Sequence, residues 1–233
     1  MFSLKRVFRI LLKIFLWFIA LSVGSVILFR FVPVPVTPLM LIRCTEQVFS
    51  GKELRMQKSW KSIENISPSL PLAVMAAEDQ KFTEHFGFDM DAIEKAQKYN
   101  ERKKGKRIRG ASTITQQTAK NVFLWKGSGW TRYVRKGFEV YFTFLLEVFW
   151  SKERIMEVYL NVAEWGDGTY GAEAAAKKYF DKSAKKLSGS ESALMAAVLP
   201  NPRRWSPSKP TAYIWKRQSW ILTNMYRIEK PEW

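Results

Sequence analysis

The chain has 233 residues, enough for one catalytic domain and an anchor but not for two full enzyme domains. Forty-seven per cent is hydrophobic, so a sizeable core can be buried, and the single cysteine, Cys44, excludes an intrachain disulfide and a cysteine-rich metal site. A formal charge of +17, from 38 basic and 21 acidic residues, implies an anionic partner: nucleic acid, a phosphorylated substrate or acidic lipid.

The N-terminus chooses among these. Residues 14–29 carry no charge, and with their apolar flanks the segment 10–32 is long enough to cross a bilayer. Lys5, Arg6, Arg9 and Lys13 lie at its start, which by the positive-inside rule leaves residues 1–9 as a cytoplasmic tail. No small-residue cleavage site follows, so a retained signal anchor is expected rather than a removed signal peptide; the competing reading is a buried core helix. Everything beyond the anchor then faces outward, and no nucleic-acid partner is expected.

Pro33, Pro35 and Pro38 alternate with β-branched residues, which predicts an extended, stiff exit from the membrane and a linker and membrane-proximal region over 33–65. From 66 to 233 the pattern is helical and the fold class is all-α. Helices are predicted over 72–82, with Pro71 in the first turn, and over 89–102. Further helices are predicted over 112–124, capped by Ser112, and over 130–150, 151–162, 171–180, 190–199 and 211–227. Ser188 and Glu191 have capping-box spacing. Residues 95–109 hold eight basic residues against one acid, Glu101. Such a run is ordinarily a solvated loop, but beside an anionic membrane it also suits a lid.

Four segments carry chemistry. In Ala76-Ala-Glu-Asp-Gln-Lys-Phe-Thr-Glu-His-Phe-Gly87 a helix would bring Glu78, Phe82 and His85 to one face, with Asp79 about 100° round. Partial burial there would raise a carboxylate towards the range of a general base, although an isolated Glu-Asp pair is more often a solvated surface. In Gly110-Ala-Ser-Thr-Ile-Thr-Gln-Gln-Thr-Ala-Lys-Asn121, Thr113, Gln117 and Lys120 share a face. Hydroxyls and amides near a helix N-terminus with a lysine one turn on can cradle phosphate and sugar oxygens, or simply cap a helix. Arg135 and Glu139 stand at i, i+4, the spacing of an ordinary intrahelical ion pair. In Lys152-Glu-Arg-Ile-Met-Glu157-Val-Tyr-Leu-Asn161, Ile155, Val158 and Tyr159 would pack, leaving Lys152 and Glu157 as tethers.

In order, spacing and content the four segments resemble the peptidoglycan glycosyltransferases, the biosynthetic transglycosylases that polymerise lipid II. That family carries Glu-Asp-x-x-Phe-x-x-His-x-Gly, Gly-x-Ser-Thr-x-Thr-Gln-Gln-x-x-Lys-Asn, Arg-Lys-x-x-Glu and Lys-x-x-Ile-x-Glu-x-Tyr-Leu-Asn, all present here without a substituted key position. The match runs from Leu70 to Pro202, and the whole chain looks like the monofunctional, anchored form. Bifunctional relatives add a transpeptidase. Ser183-Ala-Lys-Lys186 and Ser206-Pro-Ser-Lys209 fit its Ser-x-x-Lys element by chance, no Lys-Thr-Gly follows, and no peptide cross-linking or penicillin acylation is expected.

The resemblance implies two helical lobes, one lysozyme-like, with a cleft opening towards the bilayer. It implies that the growing chain, on undecaprenyl pyrophosphate, is the donor and the next lipid II the acceptor, joined β-1,4 with inversion. Glu78 matches the family's base, and Lys120, Arg135 and Lys136 match cations around the donor phosphates and sugars. Glu139 matches its second important carboxylate, expected to orient those cations or a metal. Ser112, Thr113, Gln117 and Asn121 fall in the donor-binding segment, while Asp79, Phe82 and His85 shape the cleft. Mg²⁺ or Mn²⁺ at the pyrophosphate is implied, with no ligands assigned and no organic cofactor. Asp89-Met-Asp91 formally matches the Asp-x-Asp of nucleotide-sugar enzymes, but acids at a helix start favour the dipole anyway. Trp60, Phe123 and Trp125 are the expected membrane-dipping aromatics. Expected partners are lipid II, the lipid-linked glycan, membrane lipids and other cell wall synthesis proteins, at the outer face of a bacterial cytoplasmic membrane. A lytic lysozyme-like enzyme and a non-catalytic membrane scaffold are the alternatives, the first disfavoured because a hydrolase has no pyrophosphate to neutralise.

Overall fold

Apolar residues at helical spacing over most of the chain produce ten α-helices among the described residues, which in this computed structural model are 4–103, 110–231 and 233. The predicted basic stretch therefore lies outside the described residues from 104 to 109. Helix α1 (Leu4–Phe31) is long and apolar enough to cross a membrane, with mean hydropathy 2.3 over 18 residues, and fits a single-pass anchor. Residues 33–37 run extended as expected, but 38–49 form α2 (Pro38–Phe49) instead of continuing the linker. The cause is local: Thr37 accepts from Met40 N and Pro38 sits at the first turn, so the proline that stiffens the exit also starts a helix.

The remaining helices are α3 (Ser69–Glu78), α4 (Met90–Arg102), α5 (Ile114–Phe123), α6 (Thr131–Phe149), α7 (Lys152–Val162), α8 (Ala172–Phe180), α9 (Gly189–Val198) and α10 (Ala212–Met225). Caps explain most boundaries. Asp89, Ser151 and Thr211 cap α4, α7 and α10, and the Ser188–Glu191 capping box opens α9. A small sheet was not legible in the sequence. In it β1 (Gln57–Lys58) runs parallel to β3 (Thr169–Tyr170), which pairs antiparallel with β2 (Glu164–Gly166). Strands of two or three residues show no alternation, and their pairing depends on Gly168, at φ 67°, where a Cβ would stand 2.3 Å from Arg55 O.

Helices α3, α9 and α10 pack together, and α5 packs against both α6 and α7. Helix α7 is buried at every position from Ile155 to Val162 and anchors the core. The predicted tethers hold. Glu157 accepts from Ile63 N at 2.9 Å and from Arg154, and Lys152 Nζ donates to His85 O at 2.6 Å and Glu147 Oε1 at 2.8 Å. The body also grips the anchor. Phe18 meets Phe138 and Tyr141, Ser22 Oγ lies 2.7 Å from Tyr141 Oη, and Trp150 Nε1 donates to Val26 O at 2.8 Å. Arg154 then donates to Phe29 O at 2.8 Å and Val32 O at 2.7 Å, a cation on the negative end of α1.

Candidate active site

Glu78 is the last residue of α3, not the middle of a longer helix. The predicted continuation to Phe82 fails because Asp79 leaves the helix (φ −161°, ψ 80°). Its carboxylate accepts from Ile114 N at 3.0 Å and lies 2.9 Å from His85 Nε2. Two tertiary contacts on one buried carboxylate outweigh one more helical turn. Residues 79–87 become a run of turns, so Glu78, Phe82 and His85 do not share a helix face. His85 reaches the site through Asp79. Phe82 is fully buried, 4.7 Å from Lys152 Nζ and edge-on to Trp233, and packs behind the site.

The second segment is displaced by one residue from its predicted cap. Thr113, not Ser112, caps α5. Its hydroxyl accepts from Gln116 N at 3.2 Å and donates to Gly87 O at 2.6 Å, while Gln116 Oε1 accepts from Thr113 N. Gly87 in turn lies close against α6: at φ 74°, a Cβ there would fall 2.7 Å from Thr143 Cγ2. Thr113 is thus buried and structurally committed, whereas Ser112 is exposed on the cleft wall and Asn121 is buried on α5.

One helical turn on, Gln117 Nε2 donates to Glu78 Oε2 at 3.0 Å, and Gln117 Oε1 accepts from the buried Tyr159 hydroxyl at 3.4 Å. Arg217 from α10 completes the surroundings, with Nη2 3.5 Å from Glu78 Oε1. Burial pushes the Glu78 carboxyl above its ordinary value, against the opposing pull of Gln117, Arg217 and Lys120. Burial likewise pushes the Lys120 ammonium below its ordinary value, with Glu139 opposing and Arg135 and Lys136 reinforcing. The Tyr159 phenol is held well above its usual range by burial and by the carboxylates of Glu78 and Asp79, so it stays a neutral donor.

The cations gather around a second carboxylate, Glu139. Glu139 is buried and accepts from Arg135 Nη1 at 2.8 Å and from Lys136 Nζ, so the i, i+4 pair is an inward-facing clamp rather than a surface bridge. Lys120 lies within electrostatic reach of both Glu139 and Glu78 and links the two groups. Glu78 also lines a cleft of about 300 Å³ together with Asp79, Lys81, Asp89, Ser112 and Trp220. Asp91 on the same wall is paired with Lys81 at 2.7 Å, and Asp89 is spent on capping α4.

A resident divalent ion does not fit these residues. Both oxygens of Glu139 are taken by cations and both of Asp79 by His85 and Ile114. No group of three or more His, Cys, Asp or Glu side chains converges among the described residues. The expected membrane aromatics are each half-buried. Phe123 stacks on Phe142 at 4.6 Å, Trp125 packs on Phe138, and Trp60 lies between Lys58 and Arg154. The exposed aromatic rings on α6 and just before it are Trp130, Tyr133 and Phe144, with Phe86 from the 79–87 turns edge-on to Phe144. Arg217 and Trp220 were missed by sequence reasoning. Arg217 is 139 positions from Glu78, and only the alternation of Ile214, Gln218 and Ile221 with exposed residues marks a helix that could face a cleft.

Residues 46–226 match the family model described as Transglycosylase. The chain is similar to proteins named biosynthetic peptidoglycan transglycosylase from several bacteria. Against that of Bacteroides thetaiotaomicron it is 55% identical over 227 residues, covering 97% of this chain and 90% of the relative. Against that of Pseudomonas entomophila it is 50% identical over 230 residues, covering 99% and 95%. Against that of Bdellovibrio bacteriovorus it is 55% identical over 215 residues, covering 92% and 84%.

Proposed function

This chain belongs to the transglycosylase family, and we propose that its cleft joins lipid II units into glycan strands with Glu78 as the base. It is a peptidoglycan glycosyltransferase of cell wall synthesis. The acceptor's 4-hydroxyl enters from the open cleft and attacks C1 of the donor sugar. Glu78 takes the hydroxyl proton as the bond forms. The bond from C1 to pyrophosphate breaks with its electron pair, and undecaprenyl pyrophosphate leaves. Attack opposite the α-linked leaving group gives the β-1,4 linkage.

One observation carries this reading: Glu78 lines an open polar cleft and is coupled through Lys120 to a cluster of three cations. A base needs space for the hydroxyl on one side, and a departing pyrophosphate needs fixed positive charge on the other. Lys120, Arg135 and Lys136 supply that charge, and Glu139 orients the last two. Glu139 and Asp79 are already engaged by protein donors, so their roles here are to hold cations, His85 and the start of α5. Trp220 on the cleft wall offers an apolar face to the acceptor sugar.

The anchor gives the reaction its address. We infer a cytoplasmic N-terminus, from Lys5, Arg6, Arg9 and Lys13, and a catalytic body on the outer face of the cytoplasmic membrane. Support comes from α6, which runs beside α1 and exposes Tyr133 and Phe144, with Trp130 exposed just before it, an arrangement that suits a helix carrying Arg135 and Lys136 to a membrane-borne pyrophosphate. The test is full-length protein in detergent with fluorescent lipid II, products resolved on a gel, with Glu78→Gln alongside. A ladder from the wild type alone supports the polymerase. No ladder at any metal or detergent condition would favour a scaffold, and shortening of preformed glycan a lytic enzyme.

A further inference from the structure

Arg217 reaches the end of α3 from a helix outside the four motifs. Ile214, Gln218 and Ile221 hold α10 to the core, and Gln218 Nε2 donates to Ser190 O at 3.0 Å and to Ser190 Oγ at 2.8 Å. This braced helix directs Arg217 Nη2 to Ala77 O at 3.4 Å and Glu78 Oε1 at 3.5 Å. Glu78 closes α3, so the helix presents the partial negative charge of its last carbonyls to that carboxylate. The side chain is also only 16% exposed. Both features favour the protonated acid, which cannot accept a proton.

The groups facing Glu78 come from every element around it. Asp79, the next residue, adds like charge, and Tyr159 from α7 is held neutral. Gln117 from α5 donates one hydrogen bond. The opposing cations are Lys120 and Arg217. Lys120 is shared with Glu139, Arg135 and Lys136, the cluster that meets the substrate's pyrophosphate. Arg217 is the cation left to Glu78 when that negative charge arrives.

We propose that Arg217 is a positioning residue that keeps Glu78 ionised and fixed at the cleft throughout turnover, by pairing with its carboxylate and capping the α3 carbonyl beside it. This rests on the polymerase reading above, so the experiment separates the two. In full-length protein in detergent, initial rates at subsaturating fluorescent lipid II are measured from pH 5.5 to 9 for wild type, Arg217→Met and Arg217→Lys. The Glu78 carboxyl is titrated independently by NMR on protein labelled with ¹³C-glutamate, with Glu78→Gln identifying the signal.

Arg217→Met should move the acid limb of the rate profile and the Glu78 titration midpoint upward by about one pH unit. Its rate deficit should shrink as pH rises, and Arg217→Lys should restore most of the shift. An equal loss at every pH, or an unmoved midpoint, would overturn the proposal and leave Arg217 as a brace for α3. If Arg217→Met does not fold, Arg217→Gln is read in the same way. A wild type without a ladder would count against the polymerase, and the NMR midpoints would still decide the role of Arg217.

Discussion

Gln117 holds its side-chain nitrogen 3.0 Å from one oxygen of Glu78 while its carbonyl oxygen receives the Tyr159 hydroxyl at 3.4 Å. One amide thus orients the base and is itself oriented by the core. Because Tyr159 can only donate here, the amide cannot flip without facing two donors together and turning its oxygen on a carboxylate. Gln117→Leu should therefore lower polymerisation by about tenfold near neutral pH, the value of one hydrogen bond to a charged group. Loss of the donor also pushes the Glu78 carboxyl further up, so the deficit should narrow at pH 9. A pH series of initial rates reads both effects.

Glu78→Gln should reduce polymerisation by at least ~100-fold, the ordinary contribution of a general base. It should not unfold the protein. The folded Glu78 carboxyl lies above its unfolded value, so the folded state binds the extra proton. Stability is then lost as pH rises from the unfolded value through the folded one, because ionising the partly buried group has a cost. Gln removes that cost. Thermal melting at pH 8 should give a midpoint for Glu78→Gln at or above the wild type, and a clearly lower midpoint would contradict this account.

Lys120 sets the opposite limb. Its ammonium is held below the ordinary lysine value by burial, so raising pH removes the charge that faces the pyrophosphate earlier than in an exposed lysine. Activity should therefore fall on the alkaline side, and Lys120→Arg, which stays protonated, should flatten that fall. Lys120→Met should lose about 100-fold near neutral pH, as expected when fixed charge is taken from a developing anion, and the deficit should narrow on the alkaline side as wild-type Lys120 loses its own charge. Rate profiles of the three proteins from pH 6 to 10 test the assignment.

Thr113 and Ser112 make a paired test of structure. Thr113→Val removes the cap of α5 and the bond to Gly87 O, and should cost about 1–2 kcal/mol. Ser112→Ala, at an exposed position, should stay within about 0.5 kcal/mol. Equal losses in denaturant melts would return the cap to Ser112.

Trp220 is half-exposed on the cleft wall near Glu78. Trp220→Ala should raise the lipid II concentration needed for half-maximal rate several-fold while changing the maximal rate less, and Trp220→Phe should recover most of it. A fall in maximal rate alone would remove it from the acceptor side.

The amino-acid sequence by itself determined the helical class, an apolar helix of membrane-spanning length and the Ser188–Glu191 capping box, and it pointed to Glu78, Lys120, Arg135, Lys136 and Glu139 through the resemblance to the family. The structural features follow from local periodicity and caps, which act over a few residues, whereas the site residues follow from the resemblance. Only the tertiary structure decided that α3 stops at Glu78, because the contacts that draw Asp79 out of the helix come from His85 and from Ile114, 35 positions away. It also decided that Glu139 is buried beneath two cations and that Arg217 and Trp220 reach the cleft from α10. Side chains brought together across more than a hundred residues leave no periodic trace. Their pairing is fixed by how helices pack, and packing is settled by the whole core at once.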